Sequence, residues 1–272
     1  MDIKALAGRI KSFARTHRAL VSGAAFILAV ALILTVVNAP AVVGASATER
    51  SLPIYSVERD GKYLALSFDA AWGNEDTQQL IDILGKYSVK ATFFIVGQWV
   101  DKYPESVIQL HEAGMEVMNH SDTHAHFARL SRDEIAAEVN ACNDKIEALT
   151  GVRPTLFRCP YGEYDDHVID TVNALGVTAV QWDVDSLDWK DLPAGEITER
   201  VVSRVQPGSI VLFHNAALHT PEALPAILET LLQEGYTFVP ISELILPGEY
   251  NVDYTIDHTG RQLPAQPSSS PR

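Results

Sequence analysis

The sequence predicts an α/β protein, a distorted (β/α)7 barrel, and three observations carry that expectation. Between residues 62 and 246, seven short β-rich runs alternate with amphipathic stretches, as successive βα units around a parallel sheet require. Punctuation falls where such units need it. Ser131 heads Arg132-Asp133-Glu134 as a capping box, and Gly114, Gly151, Gly176 and Gly235 stand where helices should end. Finally, Asp69, His120, Arg158, Asp185, Asp188 and His214 all sit where a β-rich run stops or just beyond. Burying such groups is costly unless they are paired, whereas α/β barrels gather their reactive groups at the carboxyl ends of their strands.

Taken in order, residues 1–18 form a basic leader, with Asp2 set against Lys4, Arg9, Lys11, Arg15 and Arg18. Residues 19–38 (ALVSGAAFILAVALILTVVN) are uncharged, apolar and about as long as a bilayer crossing. Cations on the leading side place the N-terminus in the cytoplasm and the remainder outside. The expectation is one transmembrane anchor helix and an extracytoplasmic domain; a secretory signal cleaved after Ala45-Ser46-Ala47 is the alternative. Residues 39–61 read as a linker of small residues closed by Pro53 and the Asp60-Gly61 turn. Strands are expected near 63–69, 91–97, 116–120, 155–159, 178–184, 209–214 and 237–241. The helices fall near 77–86, 104–113, 131–149, 165–175, 195–204 and 221–234. A single domain over 62–246 follows, and 247–272 reads as a flexible tail ending in PAQPSSSPR.

The net charge is −14; the first 48 residues carry +4, leaving −18 on the rest. A domain so acidic repels phosphate backbones, which excludes nucleic acid as a partner. Cys142 and Cys159 fit neither a zinc knuckle nor a redox pair and read as buried thiols, with a disulfide left open for an exported domain.

His120 and His124 are four residues apart, a spacing at which two imidazoles can share a divalent cation, although the pattern is common by chance. His126 reads as incidental. Asp69 ends an otherwise apolar strand, and Arg158 is a candidate to pair with it and keep it ionised. His214 has the same position on another strand, with Asp188 a candidate to hold its imidazolium. A base, an acid and a metal are what metal-assisted hydrolysis needs. Trp72 and Trp182 offer faces on which a sugar ring can stack, with core packing the commoner use.

Together, Phe68-Asp69, His120-Ser121-Asp122-Thr123-His124, Arg158-Cys159-Pro160-Tyr161, Asp185-Ser186-Leu187-Asp188-Trp189 and Leu212-Phe213-His214 resemble, in order, the five motifs of the polysaccharide deacetylases (the NodB-homology domain of carbohydrate esterase family four). The likeness covers about residues 62–246 and is nearest to the branch associated with peptidoglycan and sporulation. It implies a distorted (β/α) barrel that removes acetyl groups from N-acetylglucosamine or N-acetylmuramic acid units of cell-wall polysaccharide. By resemblance, Asp69 is the general base and Arg158 orients it. His120 and His124 hold the metal, and the backbone N–H of Tyr161 stabilises the oxyanion. Asp188 tunes His214, the general acid, while Trp189 and Leu212 wall the acetyl pocket. The expected cofactor is zinc, with cobalt or nickel as alternatives, and the catalytic domain is expected to be monomeric.

One position departs from the pattern. The aspartate that supplies the third metal ligand is replaced by Ala70, so an anionic donor is lost and metal binding should weaken. Asp76 or Glu75, further along the same loop, can replace it, unless Asp76 simply caps the helix beginning near Thr77. Asp69 can also become a ligand itself. The expectation is a working hydrolase with an altered metal site. Two alternatives stand beside it: a related hydrolase acting on chitin oligomers or another amide, and a catalytically silent peptidoglycan-binding module.

Overall fold

The computed structural model describes residues 50–265. The expected leader and apolar segment at 1–38, the first part of the linker (39–49) and the last seven residues lie outside the described residues. The strands are β1 (Ser56–Val57), β2 (Tyr63–Ala70), β3 (Thr92–Ile95), β4 (Glu116–Asn119), β5 (Leu156–Phe157), β6 (Thr178–Ala179), β7 (Val184–Asp185), β8 (Ile210–His214), β9 (Thr237–Phe238), β10 (Tyr254–Ile256) and β11 (Arg261–Pro264). Between them run α1 (Thr77–Lys86), α2 (Gly97–Lys102), α3 (Pro104–Glu112), α4 (Arg132–Thr150), α5 (Asp166–Ala174), α6 (Ala194–Val202), α7 (Thr220–Gln233) and α8 (Ile241–Leu244).

A curled, all-parallel sheet of order β6-β5-β4-β3-β2-β8-β7, with β9 against the start of β2, forms the centre. Both faces are buried, as parallel sheets require, and side chains alternate between them. Along β2, Leu64, Leu66, Phe68 and Ala70 pack outward beneath the helices, with Leu80, Leu84, Phe93, Phe213 and Ile227. Ala65 turns inward, joined by Phe94, Met118, Leu156, Val180 and Ile210, and α8 contributes Ile241 and Leu244 to the same cluster. The alternation decides the function: continuing the inner register to the strand ends delivers Asp69, His120, Arg158 and His214 to one mouth. The capping box forms as expected, Ser131 Oγ accepting from Glu134 N–H and the Glu134 carboxylate accepting from Ser131 N–H, and Gly151 closes α4 in a left-handed conformation.

Three expectations need correction. The strand expected at 178–184 is two short strands, β6 and β7, which do not pair with each other. The break between them is spanned by the chain before the expected domain: Ile54 N–H donates to Ala179 O (3.0 Å), Gln181 N–H to Ile54 O (2.7 Å) and Val57 N–H to Gly208 O (2.9 Å). Gly208 is required there, because a Cβ would stand 1.6 Å from Val57 O. Ile54 and Val57 are buried, so this part of the expected linker belongs to the core. The expected tail is also folded through residue 265. Strand β11 pairs with β1 and β10, and the buried Gln262 amide exchanges two hydrogen bonds with the backbone of Leu246.

Candidate functional site

Arg158 is the centre of the inner face. Completely buried, it donates from Nη1 to Asp69 Oδ1 (2.8 Å) and from Nη2 to the Gln181 carbonyl (3.0 Å), with its guanidinium 4.1 Å from the centre of the Phe94 ring. Burial pushes the Asp69 carboxyl up, but Arg158, His120 and His214 outweigh it, and Asp69 is held below its ordinary range. It is an ionised carboxylate at neutral pH.

Opposite it, across the β2–β8 pairing, stands His214. Its ring Nδ1 lies 2.8 Å from Asp188 Oδ1. Asp188 is fully buried and accepts three further bonds, from the N–H of Trp189 (2.9 Å), the N–H of His214 (2.8 Å) and the hydroxyl of Thr220 (2.7 Å). Burial alone would depress the imidazole, but the bond and charge of Asp188, helped by Asp69 and Asp185, raise it. A carboxylate kept charged and an imidazole biased toward protonation thus face one cleft.

The third corner holds the histidines. His120 Nδ1 lies 2.8 Å from the Arg158 carbonyl, which fixes that nitrogen as the N–H and turns the Nε2 lone pair toward Asp69 Oδ2, 3.5 Å away. Burial depresses His120, and burial together with His120 pushes His124 down to about 4. The rings meet edge to face at 5.0 Å. Two neutral imidazoles are suitable donors for a divalent cation, but the set is not completed. Ala70 carries a methyl group on the outer face, and among the described residues no three His, Cys, Asp or Glu side chains converge as a metal site. Nor does Asp76 join them. It lies beneath the turn at Ala216, where the charges it feels are Glu75 and Asp188. It stands at the N-terminus of α1 without a side-chain capping bond, so neither expected role is met. The residues present therefore do not fit the three-ligand metal site that the resemblance implies.

The cleft has a volume of about 420 Å³ and is lined by Asp69, His120, His124 and His214 together with Trp72, Tyr161, Trp182, Trp189 and Leu212. Its rim is aromatic. Trp72 stacks on the His214 ring (5.8 Å, 15°), and Tyr161 stacks on His126 (4.4 Å, 12°) and meets His124 edge-on. His126, paired with Glu163 at 2.9 Å, is thus a support for Tyr161. Tyr161 and Leu187 have φ of 59° and 56°, strained for residues other than glycine, and both fall in loops that aim groups into the cleft. Sequence reasoning missed Thr220, whose hydroxyl completes the shell of Asp188. Its signal was Thr220-Pro221 opening a helix shortly after the His214 strand. Cys142 and Cys159 are free, buried thiols.

Residues 56–180 match the polysaccharide deacetylase family model. The peptidoglycan-N-acetylglucosamine deacetylase of Bacillus cereus is 31% identical over 185 residues, 66% of this chain and 67% of that protein. The chain belongs to the polysaccharide deacetylase family. The peptidoglycan-N-acetylmuramic acid deacetylase PdaC of Bacillus subtilis is 36% identical over 189 residues, 70% of this chain; the match spans only 40% of PdaC. Among solved structures, a CE4 family pseudoenzyme from Bacillus anthracis superimposes with a TM-score of 0.69 at 36% identity, covering 71% of this chain and 69% of that one. A mutant of that pseudoenzyme is described as having restored enzymatic activity.

Proposed function

We propose that the folded domain is an extracytoplasmic hydrolase that removes N-acetyl groups from N-acetylglucosamine or N-acetylmuramic acid units of peptidoglycan. The observation that carries this reading is the opposition of two separately tuned groups across one cleft, Asp69 kept ionised by Arg158 and His214 biased toward protonation by Asp188. Asp69 takes a proton from water as the oxygen attacks the acetamide carbonyl. Charge on the carbonyl oxygen is met by the backbone N–H of Tyr161, held in its strained turn. Collapse of the tetrahedral intermediate breaks the C–N bond, and His214 delivers its proton to the departing amine. The carboxyl product loses water's second proton and leaves as acetate, Asp69 gives up its proton, and His214 is reprotonated from solvent, which restores the starting charges. Leu212 and Trp189 flank the space for the acetyl methyl, and Trp72 and Tyr161 offer apolar faces to the sugar. The apolar segment at 19–38 anchors this domain to the outer face of the membrane, and the sporulation-associated branch supplies its context.

A second reading is a catalytically silent wall-binding module. Ala70, the incomplete metal set and the likeness to a pseudoenzyme favour it. Retention of both Asp69–Arg158 and His214–Asp188 favours the enzyme, since binding alone needs neither a base nor an acid.

The deciding experiment is acetate release from purified peptidoglycan by protein starting at Arg50, metal-free and with Zn²⁺ or Co²⁺, beside Asp69→Asn. Release abolished by that change supports the deacetylase. Binding to insoluble wall without release under any metal supports the silent module, and absence of both rejects peptidoglycan as substrate.

A further inference from the structure

The junction between the Gly73–Asp76 loop and the turn after β8 contains buried acceptors that lack well-formed hydrogen bonds. Asp76 is only 8% exposed, yet neither carboxylate oxygen has a well-formed hydrogen bond; it merely lies near the N–H groups of Ala216 and of its own residue. Asn215, 1% exposed, likewise has an unpartnered Oδ1. Its amide cannot turn over to relieve this. Asn215 Nδ2 donates to the Gly73 carbonyl, which also accepts the Trp99 indole N–H (2.8 Å), and a flipped amide would set oxygen against oxygen. The charges that weigh most on Asp76 are negative, Glu75 on its own loop and Asp188 from the turn after β7; Asp188 in turn holds the His214 ring, and Glu75 lies near Lys102. Three buried acceptors and two anions nearby, with no cation paired with Asp76 itself, call for a hydrogen.

We propose that Asp76 is held as a neutral carboxylic acid whose O–H supplies the missing donor at the Asn215–Ala216 turn, making it a positioning residue for the base and the acid. The location explains the consequence. Asn215 follows His214 directly, and its backbone N–H donates to the Asp69 carbonyl (3.1 Å), so this turn fixes the separation of the two reactive side chains. Ala216 is held there at φ 53°. Burial first, with the repulsion of Glu75 and Asp188, outweighs the N–H groups of Ala216 and Asp76 and raises the Asp76 carboxyl, as a retained proton requires. The sign of the linkage follows: a carboxyl raised in the folded state binds its proton more tightly than in the unfolded chain. Its contribution is complete below the unfolded value and is lost as pH rises toward the folded one.

The test compares Asp76→Asn with Asp76→Ala. The amide is neutral and carries a donor, so Asp76→Asn should keep wild-type kcat, whereas Asp76→Ala should lose about ten- to a hundredfold in kcat with KM little changed. Only this kcat arm rests on the deacetylase reading. Two readouts do not: pH-difference infrared spectra of the wild type should contain a protonated-carboxyl band absent from Asp76→Asn, and the melting temperature of Asp76→Asn should gain on the wild type as pH rises from 4. A wild type without that band, a melting difference flat with pH, or an Asp76→Asn protein that behaves like Asp76→Ala or fails to fold would overturn the proposal.

Discussion

Replacing Arg158 with methionine tests the electrostatics of the inner face, because it removes a charge while keeping most of the volume. Arg158 is fully buried and Asp69 is 5% exposed, so the mutation leaves a largely buried carboxylate without its cation at 2.8 Å. Breaking a buried pair in this way costs about 3–5 kcal/mol. The Gln181 carbonyl also loses its donor at 3.0 Å, about 1 kcal/mol more. At roughly 2–4 °C per kcal/mol for a domain of this size, Tm should fall by about 8–24 °C. Urea denaturation of Arg158→Met, Asp69→Asn and the double mutant measures the coupling, and the double mutant should be at least about 2 kcal/mol more stable than the two single losses predict. The pH dependence has a definite sign. In the wild type the Asp69 carboxyl lies below its ordinary 3.8, so its contribution is present above that value and is lost as pH falls through the folded one. In Arg158→Met burial acts unopposed by the guanidinium, the carboxyl rises, and the deficit should grow with pH. A single-mutant loss below about 1 kcal/mol, additive in the cycle and independent of pH, would refute the pairing argument.

Asp188→Asn should remove the partner that raises His214, shifting the alkaline limb of the acetate-release profile to lower pH and reducing kcat by about 10²–10⁴; an unmoved limb would exclude His214 as the acid. Protein beginning at Lys62 should be about 3–6 kcal/mol less stable than protein beginning at Arg50, because it lacks the buried Ile54 and Val57, and urea titration of the two measures the gap. Because the histidine pair lacks a third ligand, chelation should lower Tm by no more than about 1 °C. A larger drop would reveal a bound metal and a ligand supplied from elsewhere.

What the sequence disclosed and what it hid have a common physical origin. In a parallel sheet buried on both faces, alternation is the only freedom, so the identity of the residue at each strand end almost determines what the mouth contains. Asp69, His120, Arg158 and His214 were legible for that reason, and the loss at Ala70 was legible because a methyl group cannot ligate in any conformation. The elements that escaped are held by partners distant in sequence. Ile54–Val57 shows no alternation, yet it fills the break between β6 and β7 through bonds to Ala179, Gln181 and Gly208. The hairpin at 254–264 is polar enough to read as a tail, but one buried amide, Gln262, fastens it to Leu246. Asp76 shows the same limit at the site. Its position before α1 implied a helix cap, while its actual surroundings come from the turn after β8, some 140 residues later. Burial beneath that turn and the charges of Glu75 and Asp188 outweigh the N–H of its own residue, so the tendency of Asp76 to hold a proton is decided by tertiary packing rather than by its loop.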